Sequence, residues 1–152
     1  MLINGTEGSY PGGPCQIITA WLAGNPIAGN NMVQTVPAGK LWKIFALSLS
    51  FTTAVAVANR IFTYQILMPG KVMWQSTSAS VQVASLTWTY QMGPIGYPNA
   101  ATVDTSLVMW MNAPVLILLG GGSITTSITN IQAADQVSQS NLGLYIEEYQ
   151  LA

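Results

Sequence analysis

Apolar and polar residues alternate along much of this chain with a period of two. Leu41–Thr53 is the clearest case, because apolar side chains occupy one set of alternate positions and hydroxyl side chains the other. The apolar set is Phe45, Leu47, Leu49 and Phe51, and the hydroxyl set is Ser48, Ser50 and Thr52. A period of two places successive side chains on opposite faces of a strand, so the pattern predicts a half-buried β-strand.

Glycine, proline and asparagine, which favour turns, divide the rest of the chain into further strand-like segments. Besides Leu41–Thr53, the predicted strands are Gln16–Leu22, Met32–Val36, Ile61–Met68, Val72–Ser76, Ser106–Met111, Val115–Leu119, Ser123–Asn130 and Leu142–Tyr149. Ala133–Ser138 is the one segment whose composition permits a helix, of about two turns at most. Gly93–Thr102 is predicted to be a long loop.

The segment that precedes this loop changes phase. Val81 and Val83 are apolar at odd positions, whereas the apolar residues that follow lie at even ones, at Leu86, Trp88, Tyr90 and Met92. A shift of one residue moves the buried side chains to the other face of the strand. We therefore predict a bulge or a break at Ala84-Ser85.

Short strands, turns and almost no helix predict an all-β fold. The expected architecture is an antiparallel β-sandwich, jelly-roll-like, with about eight strands. The length of 152 residues suits one domain, which we place at residues 15–152. Met1–Pro14 contains four glycines and two prolines and predicts an extended N-terminal arm, either flexible or docked onto a neighbour.

Charge is the unusual feature of the composition. Charged residues make up 6% of the chain, whereas ~25% is usual for globular proteins. The surface is therefore expected to be neutral and polar, or covered by other chains. The formal net charge of −1 and the lack of a basic cluster argue against nucleic acid as a partner.

The chain also lacks the side chains on which most catalysis depends. It has no histidine and a single cysteine, Cys15, which excludes a catalytic triad based on histidine. Glu147 and Glu148 are adjacent, and neighbours on a strand point to opposite faces, so they cannot flank one substrate bond. We expect no enzyme activity, no cofactor and no metal site. The uncharged stretch Thr105–Ala134 is broken by turns, and no secretion signal is visible, so no membrane segment is predicted.

Arg60 opens a predicted apolar strand in a chain with few other charges. An arginine in such a place usually needs a carboxylate partner, and Asp135 and Asp104 are the candidates. Our hypothesis is a structural Arg60–Asp135 pair that fixes the last loop to the sheet. The alternative is a solvated arginine at the end of a strand.

The aromatic and apolar residues suggest two kinds of surface. Ser106–Met111 is apolar on both faces, which indicates a central strand or contact with another subunit. We therefore expect Tyr10, Met109 and Trp110 to contribute to an assembly interface. The alternative function is sugar binding, in which exposed aromatic rings such as Trp21 and Tyr97 stack on sugar rings. Most tryptophans in strands, however, pack in cores or interfaces.

Several elements in order resemble small structural proteins of tailed-phage virions. They are Pro37-Ala38-Gly39-Lys40-Leu41-Trp42 before a long strand, Asn59-Arg60 before the next, the Gly120–Ser123 turn, Ala133-Ala134-Asp135, and Glu147-Glu148 in a closing strand. The resemblance covers roughly residues 33–149 and implies a capsid decoration (cement) protein, often trimeric. Low charge departs from that group and leaves the choice between head and tail open.

The resemblance and the composition together lead to one expected function. We expect a virion structural protein on the capsid surface, made in the host cytoplasm, whose partners are its own copies in a homotrimer and the major capsid protein. The alternative is a tail, fibre or spike domain that binds host glycans.

Overall fold

The computed structural model describes residues 16–94, 106–140 and 144–151, which form strands and connecting loops without a helix. The strands are β1 (Gln16–Ile18), β2 (Val33–Thr35), β3 (Lys40–Thr52), β4 (Ile61–Met68), β5 (Lys71–Thr77), β6 (Thr87–Gly93), β7 (Ser106–Asn112), β8 (Leu116–Leu119), β9 (Ser123–Thr129), β10 (Gln136–Gln139) and β11 (Tyr145–Gln150). The bounds of β4 agree with the prediction from turn residues at either end.

The strands form two sheets. The larger has the order β1-β11-β3-β6-β7, and β8 and β10 also pair with β3. β11 and β8 pair with the first half of β3, whereas β6 and β10 pair with its second half. The smaller sheet has the order β2-β9-β4-β5 and is antiparallel throughout.

The long strand β3 turns opposite faces towards the core in its two halves. Trp42 and Ile44 are buried in the first half, and Leu47, Leu49 and Phe51 are buried in the second. The pairing with β11 shifts register at this point, since Tyr145 lies opposite Ala46 while its neighbour Ile146 lies opposite Ile44. The extra residue of this β-bulge is Phe45, so our prediction that Phe45 shares the core face of Leu47 was wrong.

The core lies between the sheets and has a tightly packed aromatic centre. The Phe62 and Tyr90 rings are stacked with centroids 4.0 Å apart, and Tyr64 meets Phe62 edge-on at 5.0 Å. The Tyr64 hydroxyl donates a 2.8 Å hydrogen bond to the Tyr90 carbonyl oxygen. This bond satisfies the polar end of a fully buried side chain, as a core tyrosine requires.

The predicted all-β sandwich is confirmed, with corrections. Eleven strands are described where about eight were expected, β6 and β7 pair in parallel, and Ala133–Ser138 is not helical. Its last residues belong to β10 because the Asp135 amide closes a turn onto the Gln132 carbonyl at 2.9 Å and the chain then pairs with β3. The predicted break at Ala84-Ser85 is present, since Ser85 has a positive φ of 58° and β6 begins at Thr87.

Three predictions stay untested by the architecture. The N-terminal arm, Met1–Pro14, lies outside the described residues, and so does the predicted Gly93–Thr102 loop from residue 95 onward. The jelly-roll connectivity also stays a prediction.

Candidate assembly surface

One outward surface of the larger sheet is apolar, and we call it the apolar face. It is formed by β8, the first half of β3, β11 and β1. Its residues are Ile17, Leu41, Lys43, Phe45, Ile117, Leu119, Tyr145, Glu147 and Tyr149. Ile117 is 64% exposed and Leu119 is 43% exposed, so the edge at β8 presents two aliphatic side chains to solvent.

The strand register arranges the apolar face in three rows, because directly paired residues point to the same side of a sheet. The central row is Ile117, Lys43, Glu147 and Ile17. The row on one side is Leu119, Leu41 and Tyr149, and the row on the other is Phe45 and Tyr145. The single pair of charges therefore lies between two apolar rows.

The bulge at Phe45 produces this arrangement. Because the core face of β3 changes there, Leu41 and Lys43 turn outward although their odd-numbered successors Leu47 and Leu49 turn inward. The Phe45 ring remains on the outside and packs against the Tyr145 ring with centroids 4.9 Å apart.

Glu147 is held by one ammonium group and two phenols. The Lys43 Nζ atom lies 3.9 Å from the Glu147 Oε2 atom and 4.8 Å from the Phe45 ring centroid. The Tyr145 hydroxyl donates to Glu147 Oε1 at 3.1 Å, and the Tyr149 hydroxyl donates to Oε2 at 2.7 Å. The apolar face is therefore electrically neutral, with its two opposite charges side by side.

Glu148 points to the opposite side of β11, as predicted for neighbours on a strand. Its Oε2 atom accepts a hydrogen bond from the Trp42 indole at 2.8 Å, and its Oε1 atom lies 3.3 Å from Lys40 Nζ. Glu148 thus anchors a core tryptophan and takes no part in the apolar face.

The other outward sheet surfaces have a different chemistry. Cross-strand pairs of hydroxyl or amide side chains cover the second half of the larger sheet and the outside of the smaller one. These hydrogen-bonded pairs are Ser50 with Thr89, Thr52 with Thr87, Thr63 with Thr77, and Gln65 with Gln75. Exposed apolar side chains also occur outside the apolar face, among them Val33, Val72 and Met73 on the smaller sheet. The apolar face differs in having aliphatic and aromatic residues in adjoining rows on one sheet surface.

The predicted Arg60–Asp135 pair is present at one end of the sandwich. Arg60 Nε donates to Asp135 Oδ2 and Arg60 Nη2 donates to Oδ1, both at 2.9 Å, and both side chains are fully buried. Arg60 Nη1 also donates to the carbonyl oxygens of Ala56 and Ala58 at 2.9 Å. One guanidinium therefore joins two loops through a bidentate ion pair and two backbone carbonyls.

Asp135 accepts two further bonds, from the amides of Ala54 at 2.7 Å and Gln132 at 2.8 Å. Burial alone would raise the pKa of this carboxyl group, but the hydrogen bonds from Arg60, Ala54 and Gln132 outweigh burial and lower the pKa below its ordinary value of 3.8. Asp135 is therefore a charged, fully bonded anchor in the interior.

Gln82 extends this buried polar network, and sequence reasoning missed it. Its Nε2 atom donates to the Phe51 carbonyl at 2.8 Å, and its Oε1 atom accepts from the Tyr90 hydroxyl at 2.9 Å. Burial raises the pKa of both Tyr90 and Tyr64 above the ordinary value of 10.0. No sequence signal distinguishes this glutamine from the many exposed ones.

The structure settles the position of some predicted interface residues. Met109 is half-buried and packs against the core, away from the apolar face. Trp110 belongs to β7, but its side chain lies outside the described part of the chain, as do Tyr10 and Tyr97. No residue of the apolar face was predicted from the sequence to form an interface.

The position of Trp21 contradicts its predicted role in stacking on sugar rings. Its side chain is 7% exposed and belongs to the core, and its indole Nε1 donates to the Ser48 carbonyl oxygen at 2.8 Å. The expectation that Trp21 offers an exposed ring was wrong, because this hydrogen bond and the core packing hold the ring inside.

The described residues offer no candidate metal centre and no membrane-spanning helix. Among residues 16–94, 106–140 and 144–151, histidine, cysteine and carboxylate side chains form no cluster of three that could hold a metal ion. The same residues contain no helix of sufficient length and apolarity to cross a bilayer. No family model, curated protein or solved structure matches this chain.

Proposed function

We propose that this protein is a structural subunit that assembles through its apolar face, as a capsid decoration (cement) protein of a virion. The observation that carries the proposal is the apolar face itself, in which an exposed aliphatic edge adjoins half-buried aromatic side chains on one surface of the larger sheet. Apolar patches of this kind mark interaction sites on otherwise polar proteins.

The placement of charge supports assembly. Six of the nine charged residues form three local ion pairs within the described residues: Lys40 with Glu148, Lys43 with Glu147, and Arg60 with Asp135. Charges neutralised in this way supply little net repulsion between copies. A β-sandwich with so little electrostatic repulsion between copies is suited to close packing in a capsid shell.

The assignment to a virion rests on the sequence resemblance to phage structural proteins. Two of its elements lie where the larger and smaller sheets begin their longest strands, with Lys40-Leu41-Trp42 opening β3 and Asn59-Arg60 preceding β4. A homotrimer bound to the major capsid protein is the form that the resemblance implies. Binding of host glycans is not proposed, because no observation favours it and Trp21 is buried.

The solution mass of the purified full chain, measured by light scattering over a range of concentrations, tests assembly. The wild type is expected to exceed the 16.2 kDa of a single copy. Ile117→Ser combined with Leu119→Ser should lower the mass to that of one copy, because it removes the aliphatic edge of the apolar face.

The matched control is Val33→Ser combined with Val72→Ser. These valines are 54% and 49% exposed and lie on the smaller sheet, so the control removes similar aliphatic area elsewhere. It should leave the mass unchanged. A monomeric wild type, or equal loss of mass in both double variants, would contradict assembly through the apolar face.

Immunogold electron microscopy of virions that co-purify with the chain then tests for head location, and label on tails alone would exclude capsid decoration.

A further inference from the structure

We infer that the apolar face binds the same face of a second copy around a two-fold axis that runs parallel to β3, between β3 and β11. The inference rests on the proposed function, since it assumes assembly through the apolar face, and it adds the partner, the symmetry and the residues that meet. It replaces the homotrimer that the sequence resemblance implies with a two-fold dimer.

The positions of the charges select the direction of the axis. Lys43 and Glu147 lie directly opposite each other on β3 and β11. When two copies pack face to face, a two-fold axis that runs across the strands along the central row places Lys43 against the second copy's Lys43. An axis along the strands exchanges the positions of β3 and β11 and places Lys43 against the second copy's Glu147. Like charges in contact are unfavourable, so the axis along the strands is selected.

The same axis brings the apolar rows together. Each row meets the same row of the second copy, but with its two ends exchanged. Leu41 therefore faces the second copy's Tyr149, and Phe45 faces the second copy's Tyr145. In the central row, Ile117 faces the second copy's Ile17. Leu41, Phe45 and Ile117 thereby meet aliphatic or aromatic residues of the second copy, which is the composition of well-packed interface cores.

Lys43 has the capacity for a second carboxylate. Its ammonium lies 3.9 Å from Glu147, which is long for an ion pair, and its side chain is 39% exposed. Across the proposed axis, two lysines and two glutamates form a ring of alternating charge. Each Glu147 keeps its two tyrosine hydrogen bonds, so the carboxylate remains satisfied when water leaves the interface.

The neutrality of the face argues for its own copy as the partner. A strongly acidic or basic partner would gain nothing from a face that carries one charge of each sign. A second copy turned about the axis presents the complementary order of charges without any further residue. Interfaces of this isologous kind are the commonest in homo-oligomers.

Charge reversal tests the inference, with solution mass as the readout. Wild type is expected at twice 16.2 kDa. Lys43→Glu and Glu147→Lys should each raise the dissociation constant of the dimer at least ~10-fold, because each places like charges across the axis. An equimolar mixture of the two variants should recover the dimer, since both cross-axis contacts then join opposite charges.

Two controls separate loss of contact from loss of fold. Lys71→Glu makes the same charge change on β5 of the smaller sheet, outside the apolar face, and should leave the dimer intact. The double reversal Lys43→Glu with Glu147→Lys in one chain should dimerise even if a single variant unfolds, and circular dichroism melts report folding in each case.

The possible results distinguish the two proposals. A wild-type trimer, or a mixture that stays monomeric, overturns the two-fold contact and leaves assembly through the apolar face standing. Single variants that remain dimeric also overturn the inference. A wild-type monomer overturns both.

Discussion

Replacing Asp135 by asparagine should destabilise the fold more than any surface change of charge. Asp135 accepts four hydrogen bonds, two from Arg60 and one each from the amides of Ala54 and Gln132. Asparagine keeps the shape but offers a single acceptor oxygen, and its NH₂ group would face donors on the other side. The variant therefore leaves the buried Arg60 charge without a counter-ion and some donors without acceptors.

The expected loss is large on the scale of protein stability. Breaking a buried ion pair by removing one partner costs about 3–5 kcal/mol, out of a total of roughly 5–15 kcal/mol for a typical domain. For a chain of this length, each kcal/mol lowers the melting temperature by about 2–4 °C. Asp135→Asn should therefore melt roughly 6–20 °C below the wild type.

Urea unfolding followed by tryptophan fluorescence measures this loss. Arg60→Met alone should also be strongly destabilising, because it leaves the Asp135 carboxylate uncompensated. The double variant should lose less than the sum of the two single variants, with an interaction of about 0.5–3 kcal/mol. Lys71→Met, which removes an exposed charge, should change stability by no more than ~0.5 kcal/mol. A loss below about 1 kcal/mol for Asp135→Asn would refute the structural role of the pair.

The pH dependence provides an independent check on the same residue. The pKa of Asp135 in the folded protein is lowered below the ordinary value of 3.8 because its hydrogen bonds outweigh its burial. A carboxyl group of this kind contributes stability that is fully present above its pKa in the unfolded chain and is lost as pH falls through its folded pKa. The difference in unfolding free energy between wild type and Asp135→Asn should therefore shrink below about pH 4 and stay constant near neutrality.

Two other predictions concern the backbone and the core. Gly29→Ala should lower the melting temperature, because Gly29 has a φ of +80° and an added Cβ atom would lie 2.9 Å from the Ala133 Cα atom. Gly24→Ala is the control and should leave the melting temperature unchanged, because an added Cβ atom there has no other atom within 4 Å. Equal melting of the two variants would contradict this. In alkaline titration, Tyr64 and Tyr90 should ionise only as the protein unfolds, because burial raises the pKa of both phenols in the folded protein above the ordinary value of 10.0. Since the unfolded chain ionises at the ordinary value, stability is lost as pH rises beyond it. Tyrosinate absorbance that is complete before the loss of circular dichroism would refute it.

The sequence predicted the strands well where one face is apolar and the other polar. Ile61–Met68 has the same bounds in the structure, and the phase change near Ser85 coincides with a residue of positive φ. Alternation and turn residues are local signals, so they place strands without knowledge of their neighbours. The parallel pairing of β6 with β7 depends on contacts distant in the chain, which local signals do not contain.

The bulge at Phe45 could not be predicted for a related reason. In Leu41–Ala46 both faces of β3 are apolar, since Trp42 and Ile44 face the core while Leu41 and Phe45 face outward. A pattern that is apolar on both sides does not reveal which side is buried. The apolar face was therefore missed, because its residues look like core residues in the sequence.

The Arg60–Asp135 pair was predictable because its chemistry leaves few options. A guanidinium at the start of an apolar strand needs a carboxylate, and this chain has only five acidic residues. Gln82 illustrates the opposite case. The sequence pattern around an amide side chain is much the same whether that side chain is exposed or buried. Only the fold therefore shows that Gln82 links the Phe51 carbonyl to the Tyr90 hydroxyl.

Three ion pairs among the described residues use six of the nine charged residues of this chain within the molecule. Arg60 with Asp135 fixes the loops at one end, and Lys40 with Glu148 holds the core tryptophan Trp42. Because these charges act within the molecule, they contribute little to keeping copies apart in water. The remaining pair, Lys43 with Glu147, lies on the apolar face, where two exposed aliphatic residues remain beside it. Under the proposed assembly, a neutral, self-complementary face of this kind is covered most simply by its own copy.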